Sequence, residues 1–262
     1  MSERGQDEAL REAARRLAAA RLLVVFTGAG ISKESGIATF RDKEEGLWAR
    51  YDPMQLATLE GYLSDPPLVW EWYEHRFGIV ADAEPNPGHA AIAELERLLP
   101  QVVVVTQNID GLHQRAGSAD VIELHGSMHR YKCLSERHTG FTRADFTGLA
   151  DKPPRCPHCG DLLRPEVVWF GEALPESEIR RAFTLGQQCD AMLVVGTSGV
   201  VQPAATVPLL AARSGAFVVD VNPERDELAV VANVFLKGPG GEVLPRLVAA
   251  VRELAAQNGA LI

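Results

Sequence analysis

A doubly wound parallel α/β sheet carrying a small inserted lobe is the fold this sequence predicts, and three observations predict it. Short Val-rich apolar runs recur without period-two alternation, as strands buried on both faces do. Amphipathic stretches with charges at helical spacing separate those runs, which gives the strand-helix alternation of an α/β layer structure. Two segments, 46–83 and 127–164, interrupt the alternation and read as insertions.

In chain order, a helix is expected over Glu8 to Ala20 and a strand over Leu22 to Phe26. The first insertion holds three of the four tryptophans and reads as short helices broken at Pro53 and at Asp65-Pro66-Pro67. A helix over His89 to Leu99, a strand over Val102 to Val105 and a marginal strand over Val121 to Leu124 follow. The second insertion is polar, carries three of the four cysteines and looks too irregular for a sheet layer. Beyond it come a helix over Glu176 to Gln188 and strands over Ala191 to Val195 and Phe217 to Val221. Last are a helix over Glu227 to Ala232, a weak strand over Val234 to Leu236 and a helix over Val243 to Ala255. The main domain is thus expected over 1–45, 84–126 and 165–262, with 46–83 (helical) and 127–164 (zinc-ribbon-like) forming the small lobe.

Composition narrows the class. At 262 residues, 46% hydrophobic and 23% charged, the chain can bury a sizeable core and is no disordered polymer. Its net charge of −9 argues against a broad basic face, though it leaves room for a local patch, and no direct nucleic-acid partner is expected. No window approaches the roughly 20 apolar residues of a membrane helix, and no basic n-region leads into an apolar run, so a cytoplasmic protein without a membrane partner is expected. Four cysteines are too few for a disulfide scaffold and suggest metal first.

In open α/β sheets the ligand lies beyond the carboxyl ends of the strands. There the sequence places Thr27-Gly28-Ala29-Gly30-Ile31-Ser32, Thr106-Gln107-Asn108-Ile109-Asp110, His125-Gly126, Gly196-Thr197-Ser198 and Asn222-Pro223-Glu224. The first loop suits backbone contact with a pyrophosphate, although Lys33 stands where the third glycine of a dehydrogenase fingerprint belongs; a tight turn with no ligand is its ordinary alternative. An imidazole closing a short strand, with Gly126 beside it, suits general-base work, since its ordinary pKa is about 6.5. His89, His113 and His129 lack that placement and are read as structural.

The ordered motifs Gly28-Ala-Gly-Ile-Ser-Lys-Glu-Ser-Gly-Ile-Ala-Thr-Phe-Arg41, Gln107-Asn-Ile-Asp110, His125-Gly126, Val168-Trp-Phe-Gly-Glu172, Gly196-Thr-Ser198 and Val221-Asn222 resemble the sirtuins, NAD-dependent protein-lysine deacylases. The resemblance spans residues 20 to 250. It implies attack of an acyl-lysine carbonyl oxygen on the nicotinamide ribose of NAD, with His125 as the base that activates a ribose hydroxyl. Free lysine, nicotinamide and O-acyl-ADP-ribose are the implied products. It also implies that Gly28, Ala29, Phe40, Arg41, Gln107, Gly196, Thr197, Ser198 and Asn222 hold NAD. Asn108 and Asp110, with Ile109 between them, would position the nicotinamide end, and Gly240 would face the adenine. Val168, Phe170, Gly171 and Glu172, with Val200 in the segment Gly199 to Gln202, would pair with the backbone of an acylated protein or peptide.

Tyr73 and Arg76, three apart on an expected helix, share a face and can clamp a carboxylate at the end of an acyl chain. The pattern resembles the subclass that removes succinyl and malonyl groups as well as acetyl, and Ala57 matches the small residue that widens its acyl pocket. The ordinary alternative has Tyr73 packed and Arg76 paired with Glu74. Cys156-Pro-His-Cys159 is half of a structural zinc site that Cys133 would extend, but Glu136 stands where the family places a fourth cysteine. His138, His158 or Glu136 can complete the site, or packing alone can hold it. Two rival readings keep the fold and change the activity: mono-ADP-ribosyl transfer, and an NAD or ADP-ribose binding module without turnover.

Overall fold

The computed structural model describes residues 3–38, 52, 56–149 and 151–259. Strands β1 (Leu23–Thr27), β2 (Val102–Thr106), β3 (Val121–Glu123), β6 (Ala191–Val195), β7 (Phe217–Asn222) and β8 (Val234–Lys237) form one parallel sheet, ordered β3-β2-β1-β6-β7-β8. β1, β2 and β6 are buried at every residue, which explains why their sequences are apolar runs with no polar face.

Helices cover both faces. Leu17 of α1 (Glu3–Ala18), Ile92 and Leu95 of α4 (Pro87–Leu98) and Leu244, Leu247 and Val251 of α8 (Gly240–Gly259) pack on Val25, Val104 and Leu193. Ala182 and Leu185 of α6 (Glu176–Gln188) and Val207 and Ala211 of α7 (Thr206–Arg213) pack on Val24, Val103 and Met192. Each fully buried Val or Leu contributes about 1.5–3 kcal/mol. The doubly wound sheet is therefore the fold, with its order reversing between β1 and β6.

Between β1 and β2 lie α2 (Leu59–Ser64) and α3 (Pro66–Asp82), and the one-turn α5 (Leu112–Arg115) follows β2. The Asp65 carboxylate accepts the Leu68 N–H at 3.1 Å and caps α3, and Pro66 tolerates the first turn because it has no N–H to satisfy. Helices α2 and α3 pack on a two-stranded antiparallel ribbon, β4 (Gly126–Cys133) and β5 (Leu163–Val167), through Tyr62, Val69, Trp72, Met128 and Trp169.

Several expectations change. Part of 127–164 is this regular ribbon; a register shift between Ser127 and Tyr131 breaks the alternation that would have revealed it. Glu227 to Ala232 forms only a 3-10 turn, Glu227–Val230, because Asp226 caps the amides of Leu228 and Ala229 and the turn stops at Val231. Helix α7 was not expected: its segment is apolar with only one charge, so it shows no helical charge spacing. Cys189 caps the end of α6 just before β6, and burial pushes its thiol up to about 11. Among the described residues no helix is long and apolar enough to cross a membrane.

Candidate active site

The strand ends meet as the α/β rule requires. Gly30 N–H donates to the Gly196 carbonyl at 2.8 Å, and a Cβ built on Gly30 would lie 2.6 Å from that oxygen. The glycines there let the loops after β1 and β6 touch, independent of any phosphate. Gln107 Nε2 donates to Thr197 Oγ1 at 2.9 Å, and Asn222 Nδ2 donates to the Thr197 carbonyl at 2.8 Å, so the ends of β2, β6 and β7 are tied together. Gly240 opens α8 and packs toward Val195 and Ile31. Phe40 and Arg41 lie outside the described residues.

His125 sits between β3 and β4. Its Nδ1 is 2.8 Å from the Gln107 carbonyl. A carbonyl only accepts, so Nδ1 carries the proton and Nε2 is left with its lone pair. Burial lowers the imidazole pKa, which the Gln107 bond partly opposes, and the ring is therefore neutral at neutral pH. A neutral imidazole of fixed tautomer is a ready proton acceptor. Gly126, at φ 76°, allows the turn: a Cβ there would meet the Glu166 carbonyl at 2.0 Å.

Asn108 and Asp110 are joined through a residue that sequence reasoning did not single out. Asn108 Nδ2 donates to Ser32 Oγ at 3.0 Å, and Ser32 Oγ donates to Asp110 Oδ2 at 2.7 Å. Asp110 Oδ1 accepts the Leu112 N–H at 2.9 Å, and the Asp110 carbonyl accepts from His129 Nε2 at 2.9 Å. Beneath them the Asn108 N–H donates to Thr106 Oγ1, which accepts from Thr27 Oγ1, itself 2.9 Å from His113 Nε2. Burial drives His113 down to about 3 and His89 to about 4, so both rings are neutral supports. His113 and His129 thus brace the site, and only the folded chain shows this. An amide and a carboxylate linked through one hydroxyl, beside hydroxyl and amide donors at three strand ends, make a donor set that fits a carboxamide and ribose groups, as NAD presents.

The residues expected to meet substrate occupy the ribbon and α3. Tyr73 is buried, and its Oη accepts from Trp169 Nε1 at 2.8 Å. Burial pushes the phenol up to about 12, so it keeps its proton. Arg76 lies over the Trp72 ring, 5.2 Å from its centroid. Glu74, the acid that would have competed for Arg76, is held by both Nη atoms of Arg143 at 2.6 and 2.5 Å. Ala57 is buried, and its carbonyl accepts the Phe170 N–H at 2.9 Å. Phe170 and Val200 are exposed apolar side chains, and Gly171 has φ 87°. The Glu172 carboxylate is bound inside the chain by Arg164 and the Trp169 amide.

Cys133, His138, Cys156 and Cys159 bring one ligand atom each within 4.8 Å of one another. His138 Nδ1 lies 3.8 Å from Cys133 Sγ and 3.6 Å from Cys156 Sγ, spacings that suit a tetrahedral Cys3His zinc site. Glu136 instead pairs with Lys132, and His158 stacks on Phe141. Burial raises the Cys133 thiol pKa, but hydrogen bonds with Ser135 and His138 outweigh it and bring it down to about 6, toward the thiolate a metal needs. The cluster can bind zinc.

Residues 28–203 match the Sir2 family model. The chain is 50% identical to an NAD-dependent protein deacylase of Pyrococcus furiosus over 249 residues, 94% of this chain and 99% of that protein. It is 52% identical to NAD-dependent protein deacylase 1 of Pseudomonas aeruginosa over 241 residues, covering 88% of this chain and 94% of that one. Among solved structures, a Sir2 homolog-NAD complex aligns with TM-score 0.86 at 43% identity, over 93% of this chain and 94% of the other. Sir2Af2 bound to a myristoylated histone peptide aligns with TM-score 0.77 at 39% identity, over 96% and 99%.

Proposed function

The chain belongs to the Sir2 family and is an NAD-dependent protein-lysine deacylase; from that premise we propose that it removes succinyl and malonyl groups as well as acetyl, with His125 as general base. NAD, when bound, supplies a ribose carbon from which nicotinamide departs and a ribose hydroxyl. Gln107, Thr197, Ser198 and Asn222 would hold its riboses, Gly28 and Ala29 its phosphates, and Asn108 with Asp110 its carboxamide. His125 Nε2 takes the proton of the ribose hydroxyl, and the Nδ1–H bond to Gln107 steadies the imidazolium that forms. Histone-peptide binding by a relative of this fold supports an acylated lysine in an extended peptide as substrate, lying along Val168 to Glu172 and Gly199 to Gln202.

The acyl preference rests on Tyr73. Because its oxygen accepts the Trp169 indole N–H, its own hydroxyl proton is directed elsewhere, and burial keeps that proton in place. A phenol donor three residues from Arg76 on one face of α3 suits a terminal carboxylate. Matched peptides carrying succinyl-, malonyl- or acetyl-lysine test the reading. Arg76→Met should lower kcat/KM for succinyl removal about 10²-fold, the scale of losing one partner of a desolvated charge pair, and leave acetyl removal within about threefold. Equal losses on both peptides would contradict the clamp.

A further inference from the structure

One buried cation holds the whole segment from Val167 to Glu172. Arg164, 1% exposed, forks onto both Glu172 oxygens at 2.5 and 2.8 Å and donates from Nη2 to the Val167 carbonyl at 2.7 Å. Its guanidinium stacks on Trp169, 3.3 Å from the ring centroid. Glu172, so fixed, accepts the Trp169 N–H at 2.8 Å, and the Trp169 indole reaches Tyr73 at 2.8 Å. A buried ion pair adds little net stability over apolar packing of equal volume, so what this arrangement supplies is geometry.

We infer that Arg164 is a positioning residue for peptide substrate: through Glu172 and Trp169 it sets the backbone of 168–172 and, by the indole, the orientation of the Tyr73 hydroxyl. Guanidinium shape is essential to this, because a lysine keeps the charge but loses the two-pronged contact and the flat face on Trp169. The inference rests on the reading that 168–172 pairs with the peptide.

The test is steady-state kinetics on the full chain with acetyl- and succinyl-lysine peptides, with NAD affinity and thermal unfolding measured alongside. Arg164→Lys should raise the peptide KM about tenfold or more and lower the succinyl-to-acetyl preference, with NAD affinity within about twofold. Arg164→Gln strands the Glu172 charge and can unfold the ribbon, so the double variant Arg164→Met, Glu172→Gln, which removes both charges, is measured too. Raised peptide KM in the folded double variant supports the positioning role. Lowered Tm with unchanged peptide KM in both variants overturns it. Gly171→Val separates the two claims: there is open space around its Cβ, so the cost is backbone conformation at φ 87° alone. If Gly171→Val leaves peptide KM unchanged, the pairing reading itself fails; if it raises KM while the Arg164 variants do not, only the positioning role fails.

Discussion

A proton on Nδ1 of His125 and none on Nε2 is the smallest fact on which the chemistry depends. Because burial lowers this imidazole pKa, the acid limb of kcat/KM should fall below the ordinary imidazole value of about 6.5, measured with acetyl-lysine peptide across pH 5 to 8. An acid limb above 6.5 would contradict it. Gly30→Ala should cost about 1–3 kcal/mol in urea unfolding and weaken NAD binding, because the new methyl meets the Gly196 backbone. His125, Asn108 and Asp110 were legible in the sequence because each follows an apolar run. Ser32 and Arg164 were not, since each acquires its partner only by folding: Ser32 meets Asp110 across 78 positions. His138 was one of three candidates for the fourth metal ligand, and only folding singles it out. A hydroxyl or guanidinium carries no sign of what it will touch.

Elements were legible to the extent that burial leaves a pattern. Short apolar runs mark the six strands of the sheet to within one or two residues; for β1, β2 and β6 the reason is burial on both faces, which demands apolar residues throughout. The ribbon β4–β5 escaped, since Lys132, Arg130 and Arg164 lie within it and its register shifts. At the metal loops the prediction is stoichiometric: about one zinc per chain by elemental measurement, lost in His138→Ala together with several degrees of Tm. Glu136→Ala should leave zinc content unchanged, since Glu136 pairs with Lys132. Zinc lost in Glu136→Ala and kept in His138→Ala would reverse the assignment of the fourth ligand.

For the molecule as a whole, the balance with pH turns on Asp220. This β7 carboxyl is fully buried, neither oxygen has a hydrogen-bond partner among the described residues, and burial reinforced by Asp226 pushes it up to about 7, with Arg225 opposing. The unfolded carboxyl ionises near pH 4, while the folded one keeps its proton to about 7. Stability contributed by this group therefore falls as pH rises between those values and stays low above them, by up to about 4 kcal/mol. Asp220→Asn should accordingly stabilise the chain by about 2–4 kcal/mol at pH 8 and by little at pH 4, read from denaturant unfolding at both. A gain of equal size at both pH values would show that charge is not the cause.

The proposed site centres on a neutral His125, which we propose completes acyl transfer after nicotinamide has left. The most direct test is mass spectrometry of an acetyl-lysine peptide incubated with NAD and either wild type or His125→Ala, scoring O-acyl-ADP-ribose, free lysine and exchange of labelled nicotinamide separately. The variant should lose about 10²–10⁴-fold in deacylated product while nicotinamide exchange and NAD binding persist. Deacylation at the wild-type rate in His125→Ala would contradict the proposal.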